Sequence, residues 1–512
     1  MREVRRNVED LAGGHVHNFR LVVSQRETQE TLEDVGQLFV LVRVLRHDTA
    51  FVEVDVREHQ PLGRDQAPAE IRLELVLRHV LPAVPGRLRA VHDVSPLVSL
   101  QGRSTHSSIL GHVAVARETP RWDRLFAERT RGDVGEGIAA VLAFLGRPDL
   151  ISFAGGFPDP LTFPRERASA LLQEFAAAGE SAAFQYAPTR GLAGLLDAIA
   201  ARLHALQGRR PADDELVITS GAIEALELVG KSFLDRGDVV VVEAPTYLGA
   251  IMAFRSFEAE IVSVPLDENG LDVEELERQL AGGLRPKLVY TIPDHQNPAG
   301  VSLSHERREL LVELARRHGF LIVEDVAYRE LGFNGEPEPS LWSLAPDVVL
   351  QAGTTSKTLF PGVRLGWAVG PAEVSAQLVA AKQNTDQCAG ALGQRLFEEY
   401  VRRGWADEQL AQSRSLYKRK CERMLAALER HMPEGAHWTV PKGGFFTWLT
   451  LPAGGDAGAF ATRAVERGVA VVPGSLFFSD ERGGDNVRLS FSLVDEGEIE
   501  EGIERLASLV KP

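Results

Sequence analysis

The chain is short of cysteine, of long apolar runs and of positive charge, and each shortage removes a class of protein. Two cysteines, Cys388 and Cys421, in 512 residues supply neither a disulfide framework nor a four-thiolate zinc site, so both are expected to be reduced and packed. No apolar run approaches the roughly 18 residues of a membrane-crossing helix, and the N-terminus lacks the apolar stretch of a secretion signal. A soluble chain kept in the cytoplasm is the expectation, with no membrane partner. With 56 Lys and Arg against 72 Asp and Glu, the formal charge of −16 repels phosphate backbones, which disfavours nucleic acid as a partner. Histidines such as His15, His17, His79 and His92 lack carboxylates at ligand spacing, so no metal site is expected.

What the sequence does contain is unevenly spread. All eight lysines lie at or beyond Lys231, whereas eight of the 14 histidines precede residue 113. Residues 1–120 therefore read as an atypical N-terminal segment, with alternation at Val40–Leu45 and Phe51–Val56 that suits strands. Two origins stay open for it: a small appended domain, or an over-extended reading frame whose true start lies near Val113 or Val115. The second is favoured, and it predicts poor packing of the residues before about 118. Beyond it, the expected divisions are an N-terminal arm with part of a small domain at 121–185, a large domain at 186–395 and a C-terminal small domain at 396–512.

From Trp122 onward, apolar runs alternate with amphipathic stretches, the pattern of an α/β protein with a mainly parallel sheet. Leu216–Thr219, Val239–Val242, Ile261–Val264, Lys287–Thr291, Leu321–Glu324 and Val348–Gln351 read as buried strands, several of them ending at polar or glycine-rich loops. Ligands of such sheets gather at the carboxyl ends of strands.

One such loop, Thr354-Thr355-Ser356-Lys357-Thr358-Leu359-Phe360-Pro361-Gly362-Val363-Arg364, concentrates reactive groups. Hydroxyls at Thr354 and Ser356 and the Arg364 guanidinium suit a dianionic phosphate, which arginine grips as a two-pronged fork. Lys357 is then free for covalent work, because an amine beside cations and partly desolvated has a lowered pKa and condenses with an aldehyde. Asp325 ends another strand, where a buried carboxylate needs a cation such as a protonated ring nitrogen; a helix N-cap is the plainer alternative. Asn297, in Asp294-His295-Gln296-Asn297-Pro298-Ala299-Gly300, offers an amide to a ring oxygen that Tyr328 could share, although the same text makes ordinary turns. The backbone amides of Ala222 and Ile223 open a helix and point at any anion there. Tyr247, closing Glu243-Ala244-Pro245-Thr246-Tyr247, could stack on a flat ring or simply pack. Singly these residues are common loop features; it is their company that points to a site.

In this order the elements resemble the fold-type I aminotransferases that use pyridoxal 5′-phosphate, class I/II, of the bacterial 2-aminoadipate and kynurenine aminotransferase type. The resemblance runs from about Trp122 to the C-terminus and takes in Ser152-Phe153-Ala154-Gly155-Gly156-Phe157-Pro158-Asp159-Pro160, Phe184-Gln185-Tyr186-Ala187-Pro188-Thr189-Arg190-Gly191, Pro441-Lys442-Gly443-Gly444-Phe445-Phe446 and Val487-Arg488-Leu489-Ser490-Phe491-Ser492. It implies a large cofactor-binding domain with a mainly parallel seven-stranded sheet flanked by helices, beside a smaller α+β domain. It further implies that Lys357 holds the cofactor aldehyde and then moves a proton between the substrate α-carbon and the cofactor. Asp325 would pair with the pyridine nitrogen, Asn297 and Tyr328 would face the ring oxygen, and Tyr247 would stack on the ring. Ser356, Arg364 and the amides of Ala222 and Ile223, with Thr354 beside them, would hold the phosphate. Tyr186 matches a tyrosine that reaches the phosphate in the other subunit, which implies a homodimer with shared active sites. Arg488, helped by Asn297, would bind the substrate α-carboxylate, with Gly156 in the substrate-lining loop. The implied reaction carries an amino group from an aromatic, 2-aminoadipate-like or large aliphatic L-amino acid to a 2-oxo acid such as 2-oxoglutarate, in ping-pong order.

Departures from the family text bear on this. Gly221-Ala222-Ile223-Glu224 stands where many members read Gly-Ser-Gln-Gln, so one hydroxyl is missing and an acid is added. Ala139 falls where the aminoadipate enzymes often carry an arginine, which favours aromatic or large aliphatic side chains unless Arg131 or Arg147 substitutes. Thr385-Asp386-Gln387-Cys388-Ala389 also departs, without a legible effect. Two rivals remain at this level: a lyase or decarboxylase on the same fold, and the aminotransferase-like domain of a transcription regulator.

Overall fold

The computed structural model describes residues 39–45, 51–57, 111–113, 122, 125–130, 147, 149–359 and 361–510. The chain divides into two compact units, 1–126 and 127–512. In the first, Phe39–Leu45, Phe51–Arg57 and Gly111–Val113 form a three-stranded antiparallel sheet, with Val42 opposite Val54. The two longer strands fall where the alternation predicted them. The expectation of poor packing before residue 118 bears on a stretch that lies mostly outside the described residues, as do Val115, Arg131 and Ala139.

The second unit is built on a large sheet whose strands lie in the order Leu216–Thr219, Gly366–Val369, Val349–Thr354, Leu321–Asp325, Leu288–Thr291, Val239–Ala244, Glu260–Asp267 and Gly270–Leu271. That is eight strands where seven were expected. The addition, Gly270–Leu271, is a two-residue return of the edge strand that pairs antiparallel with it, too short to leave a sequence pattern. Gly366–Val369 is antiparallel to both its neighbours, and the pairings through the centre of the sheet are parallel.

The strands are near-continuous apolar runs because both their faces are covered. Successive side chains enter different cores: Val240, Val242, Leu288, Tyr290 and Val323 pack on one face, and Val241, Val289 and Ile322 on the other. Each such side chain contributes about 2 kcal/mol through removal from water, so a charge at Val241 would break the sheet from within.

A smaller antiparallel sheet runs in the order His437–Trp438, Phe446–Thr450, Asn486–Ser490 and Val472–Pro473. The long helix Trp405–His431 and the helix Ile499–Ala507 line its core through Leu410, Tyr417, Met424, Ile499 and Ile503. Ile151–Ser152 pairs with Val469–Ala470, which ties the chain near residue 150 to the C-terminal region. The expected limit at 395 falls inside the helix Ala391–Arg402. Its Leu396, Phe397 and Tyr400 pack in the large-sheet core, and the chain turns away only at Gly404, in a left-handed conformation with φ 73°.

Candidate active site

Most of the polar side chains singled out in the sequence lie on loops that leave the carboxyl ends of the large sheet. Asp325 ends its strand and is 4% exposed. It accepts the Tyr290 hydroxyl at 2.9 Å and the Ala327 backbone N–H at 3.0 Å. Burial pushes its carboxyl above the usual range, while these donors and the Lys357 ammonium pull it back. Across from it, the Lys357 amine donates to the Gly156 carbonyl at 2.9 Å and lies 5.9 Å from the Tyr328 ring centre. Desolvation, then the Arg488 charge, bring that amine down to about 8, with Asp325 opposing them.

Arg488 comes from the small-domain strand Asn486–Ser490. One of its amino nitrogens donates to Asn297 Oδ1 at 3.0 Å and the other to the Ala154 carbonyl at 2.6 Å. Its guanidinium lies 4.4 Å from the ring centre of Phe446 and 4.6 Å from that of Phe477. Burial lowers it to about 10, so it stays charged at neutral pH. Its Nε is buried and without a partner, an open donor on a cation that needs an anion.

The loop of Asn297 is held to a buried acid through the preceding residue. The neighbouring Gln296 donates its amide to Glu243 at 2.9 Å and to the Pro245 carbonyl at 2.7 Å. Glu243, pushed by burial to about 7, thus ties the loop of Asn297 to the loop of Tyr247. The Tyr247 ring lies over Gly249, where an added Cβ would fall 2.4 Å from the ring, so only glycine lets the tyrosine rest there. Burial raises the pKa of both Tyr247 and Tyr328. Tyr328 packs edge-on against Phe445 and Phe446.

A second cluster lies at the N-terminus of the helix Ala222–Phe233. Its cap, Gly221, has φ 104° and supplies no side-chain hydrogen bond, which leaves the first amides without intrahelical partners. Arg364 donates to Ser356 Oγ and to the Ser220 carbonyl, both at 3.3 Å, and a Cβ on Gly221 would lie 2.8 Å from the guanidinium. Helix amides, a hydroxyl and an arginine fork therefore face one small space, a donor set for a phosphate. The Thr354 hydroxyl lies 3.1 Å from the Leu365 carbonyl and 3.0 Å from Ser356 Oγ, engaged inside the loop.

Other expected residues lie differently. Tyr186 is 80% exposed and lines a surface cavity of about 350 Å³ with Pro188, Gln383 and Cys388. Arg147 forms a surface ion pair with Asp149 at 2.6 Å, both side chains about half exposed. Three residues were not foreseen at the site: Tyr290, and the rings of Phe446 and Phe477 around Arg488. Tyr290 stands in the middle of an apolar strand, and only the register with its neighbour, which sets Tyr290 beside Val323, puts its hydroxyl on Asp325.

Residues 148–506 match the family of class I and II aminotransferases. The chain is 39% identical to aromatic-amino-acid aminotransferase 1 of Thermococcus litoralis over 76% of its own length and 95% of that protein. It is likewise 39% identical to a 2-aminoadipate transaminase of Thermus thermophilus, over 76% of this chain and 97% of the relative. The crystal structure of a Pyrococcus horikoshii kynurenine aminotransferase, 40% identical, superposes with a TM-score of 0.72 over 76% of this chain and 98% of that one. The chain belongs to the class I and II aminotransferases, with the fold-type I architecture. It is an amino-acid aminotransferase, and pyridoxal phosphate is its cofactor.

The residues present fit that cofactor: a free amine for its aldehyde, a buried carboxylate for its ring nitrogen, a tyrosine ring to stack on, and the donor set at Gly221 for its phosphate. Tyr290 then has a definite task. Its hydroxyl lowers the basicity of Asp325, so Tyr290→Phe should leave a more basic carboxylate that draws the proton off the ring nitrogen. Turnover is expected to fall by roughly tenfold, the value of one hydrogen bond to a charged group. The pH midpoint of the bound cofactor's visible band should rise as well. An unmoved midpoint would show that the hydroxyl does not act through Asp325.

Proposed function

We propose that the enzyme takes its amino group from aromatic or large aliphatic L-amino acids, with 2-aminoadipate-like donors less favoured, and passes it to a 2-oxo acid such as 2-oxoglutarate in ping-pong order. The observation that carries this reading is the meeting of Lys357, Asp325 and the Arg488–Asn297 pair at the mouth of one sheet. The cofactor supplies the electron sink that makes the substrate α-carbon acidic. Arg488, with its unpaired Nε, and Asn297 hold the α-carboxylate and so fix the α-hydrogen toward Lys357. The Lys357 amine, neutral above about 8, removes that proton and carries it across. Asp325 would keep the ring nitrogen protonated, Tyr247 would stack on the ring, and Asn297 and Tyr328 would face its oxygen. Ser356, Arg364 and the amides of Ala222 and Ile223 would hold the phosphate, with Thr354 bracing Ser356.

Two features bear on the donor. The relatives include enzymes named for aromatic amino acids and for 2-aminoadipate, and Ala139, at the position where the aminoadipate enzymes often carry an arginine, supplies no cation for a second carboxylate. Tyr186, exposed on the single chain, completes the phosphate site of a second subunit in a homodimer. A cytoplasmic location belongs to the same reading; among the described residues no helix is long and apolar enough to cross a membrane. The test is the absorption spectrum of the purified holoenzyme during addition of single L-amino acids without a 2-oxo acid. Conversion of the cofactor to its amine form with aromatic or large aliphatic donors ahead of 2-aminoadipate is expected; the reverse order would overturn the donor assignment.

A further inference from the structure

The acid that departs from the family pattern in the phosphate loop, Glu224, is met by a lysine from 158 residues further along the chain. Lys382 is wholly buried and donates to the Glu224 carboxylate at 2.7 and 2.8 Å and to both oxygens of Asp386 at 2.8 Å. The two carboxylates that Lys382 holds converge on one residue, Ser220. Its backbone N–H donates to Glu224, its hydroxyl donates to Asp386 at 3.0 Å, and its carbonyl accepts from Arg364 at 3.3 Å. Every polar atom of Ser220 is therefore committed to protein, and the hydroxyl donates to Asp386 instead of to a phosphate.

Two carboxylates around one buried ammonium are costly to desolvate, and such groups are often replaceable by apolar ones without loss of stability. A positional role explains their presence here better than a stabilising one. Gly221, the next residue, sits at φ 104° against the Arg364 guanidinium, and the amides of Ala222 and Ile223 follow it. Any drift of Ser220 would swing those amides and release Arg364 together.

We propose that Glu224, Lys382 and Asp386 form a positioning triad that locks the Ser220–Ile223 turn, so that backbone amides and Arg364 grip the cofactor phosphate without the hydroxyl that Ala222 lacks. This rests on the phosphate site proposed above. None of the three touches the phosphate; they act through Ser220. The same reasoning gives Asp386, in a segment whose text carried no legible meaning, its place.

The test is equilibrium binding of two ligands to the full-length apoenzyme, followed by visible absorption: pyridoxal 5′-phosphate, and pyridoxal, which has the ring and aldehyde but no phosphate. Lys382→Met and Asp386→Asn should each weaken the phosphorylated ligand by roughly tenfold, the scale of one lost charge-assisted hydrogen bond, and leave pyridoxal nearly unchanged. Equal weakening of both ligands, or no weakening of either, would overturn the proposal. Should Lys382→Met fail to fold, Asp386→Asn decides alone, since that side chain is 30% exposed. Wild-type protein that preferred the phosphorylated ligand no more than pyridoxal would instead overturn the phosphate site itself.

Discussion

Lys357→Ala should lower turnover by about ten-thousandfold or more, because one amine is asked both to hold the cofactor and to move the substrate proton, and proton transfer alone is worth up to about that factor. The variant should still bind cofactor through the phosphate donors at Ser356, Arg364 and the helix amides. It should no longer be trapped: borohydride reduction followed by peptide mass spectrometry should place the cofactor on Lys357 in the wild type and nowhere in the variant. Retention of activity within tenfold of the wild type, or trapping at another lysine, would remove Lys357 from the mechanism. The amine's position also sets a pH dependence. Only its neutral form attacks an aldehyde, and desolvation with the Arg488 charge brings it to about 8. Capture of cofactor by the apoenzyme should therefore quicken as pH rises through about 8 and level off above it.

Arg488→Gln should lower kcat/KM by about a hundredfold or more for every L-amino acid donor. Truncating one partner of a buried charge pair costs about 2 to 5 kcal/mol, and kcat/KM reports that loss directly. The effect should be blind to the donor's side chain, because the α-carboxylate is common to all donors. Arg488→Lys should recover little, since an ammonium cannot reproduce a planar fork held between Phe446 and Phe477. Measuring kcat/KM for one aromatic and one aliphatic donor checks this. Unequal losses would place Arg488 against the side chain instead of the carboxylate.

The parts of the site that could be read from sequence are those that end apolar strands. Asp325 and Tyr247 follow valine- and isoleucine-rich runs so directly that their place at the sheet rim needed no coordinates. Whatever depends on which strand lies beside which was illegible. The Tyr290 hydroxyl finds Asp325 only through the parallel pairing of Leu288–Thr291 with Leu321–Asp325. Lys382 reaches Glu224 across 158 residues, and nothing in Ala380–Asn384 distinguishes a buried lysine from a solvated one. The limit expected at 395 falls inside the helix Ala391–Arg402 for a related reason: the helix is amphipathic, but its sequence does not say which core it covers.

The hydrogen bond from Lys357 to the Gly156 carbonyl links two separate pieces of chain, one anchored in the large sheet and one that follows the strand Ile151–Ser152 onto the C-terminal region. The stretch through Gly156 is fixed as well by backbone bonds, Phe153 to Ala470 and Ser490 to Phe153, both at 2.8 Å. The position of the reactive amine is thus registered against the C-terminal fold, so a substitution that loosens the Phe153–Ala470 pairing would be felt at Lys357.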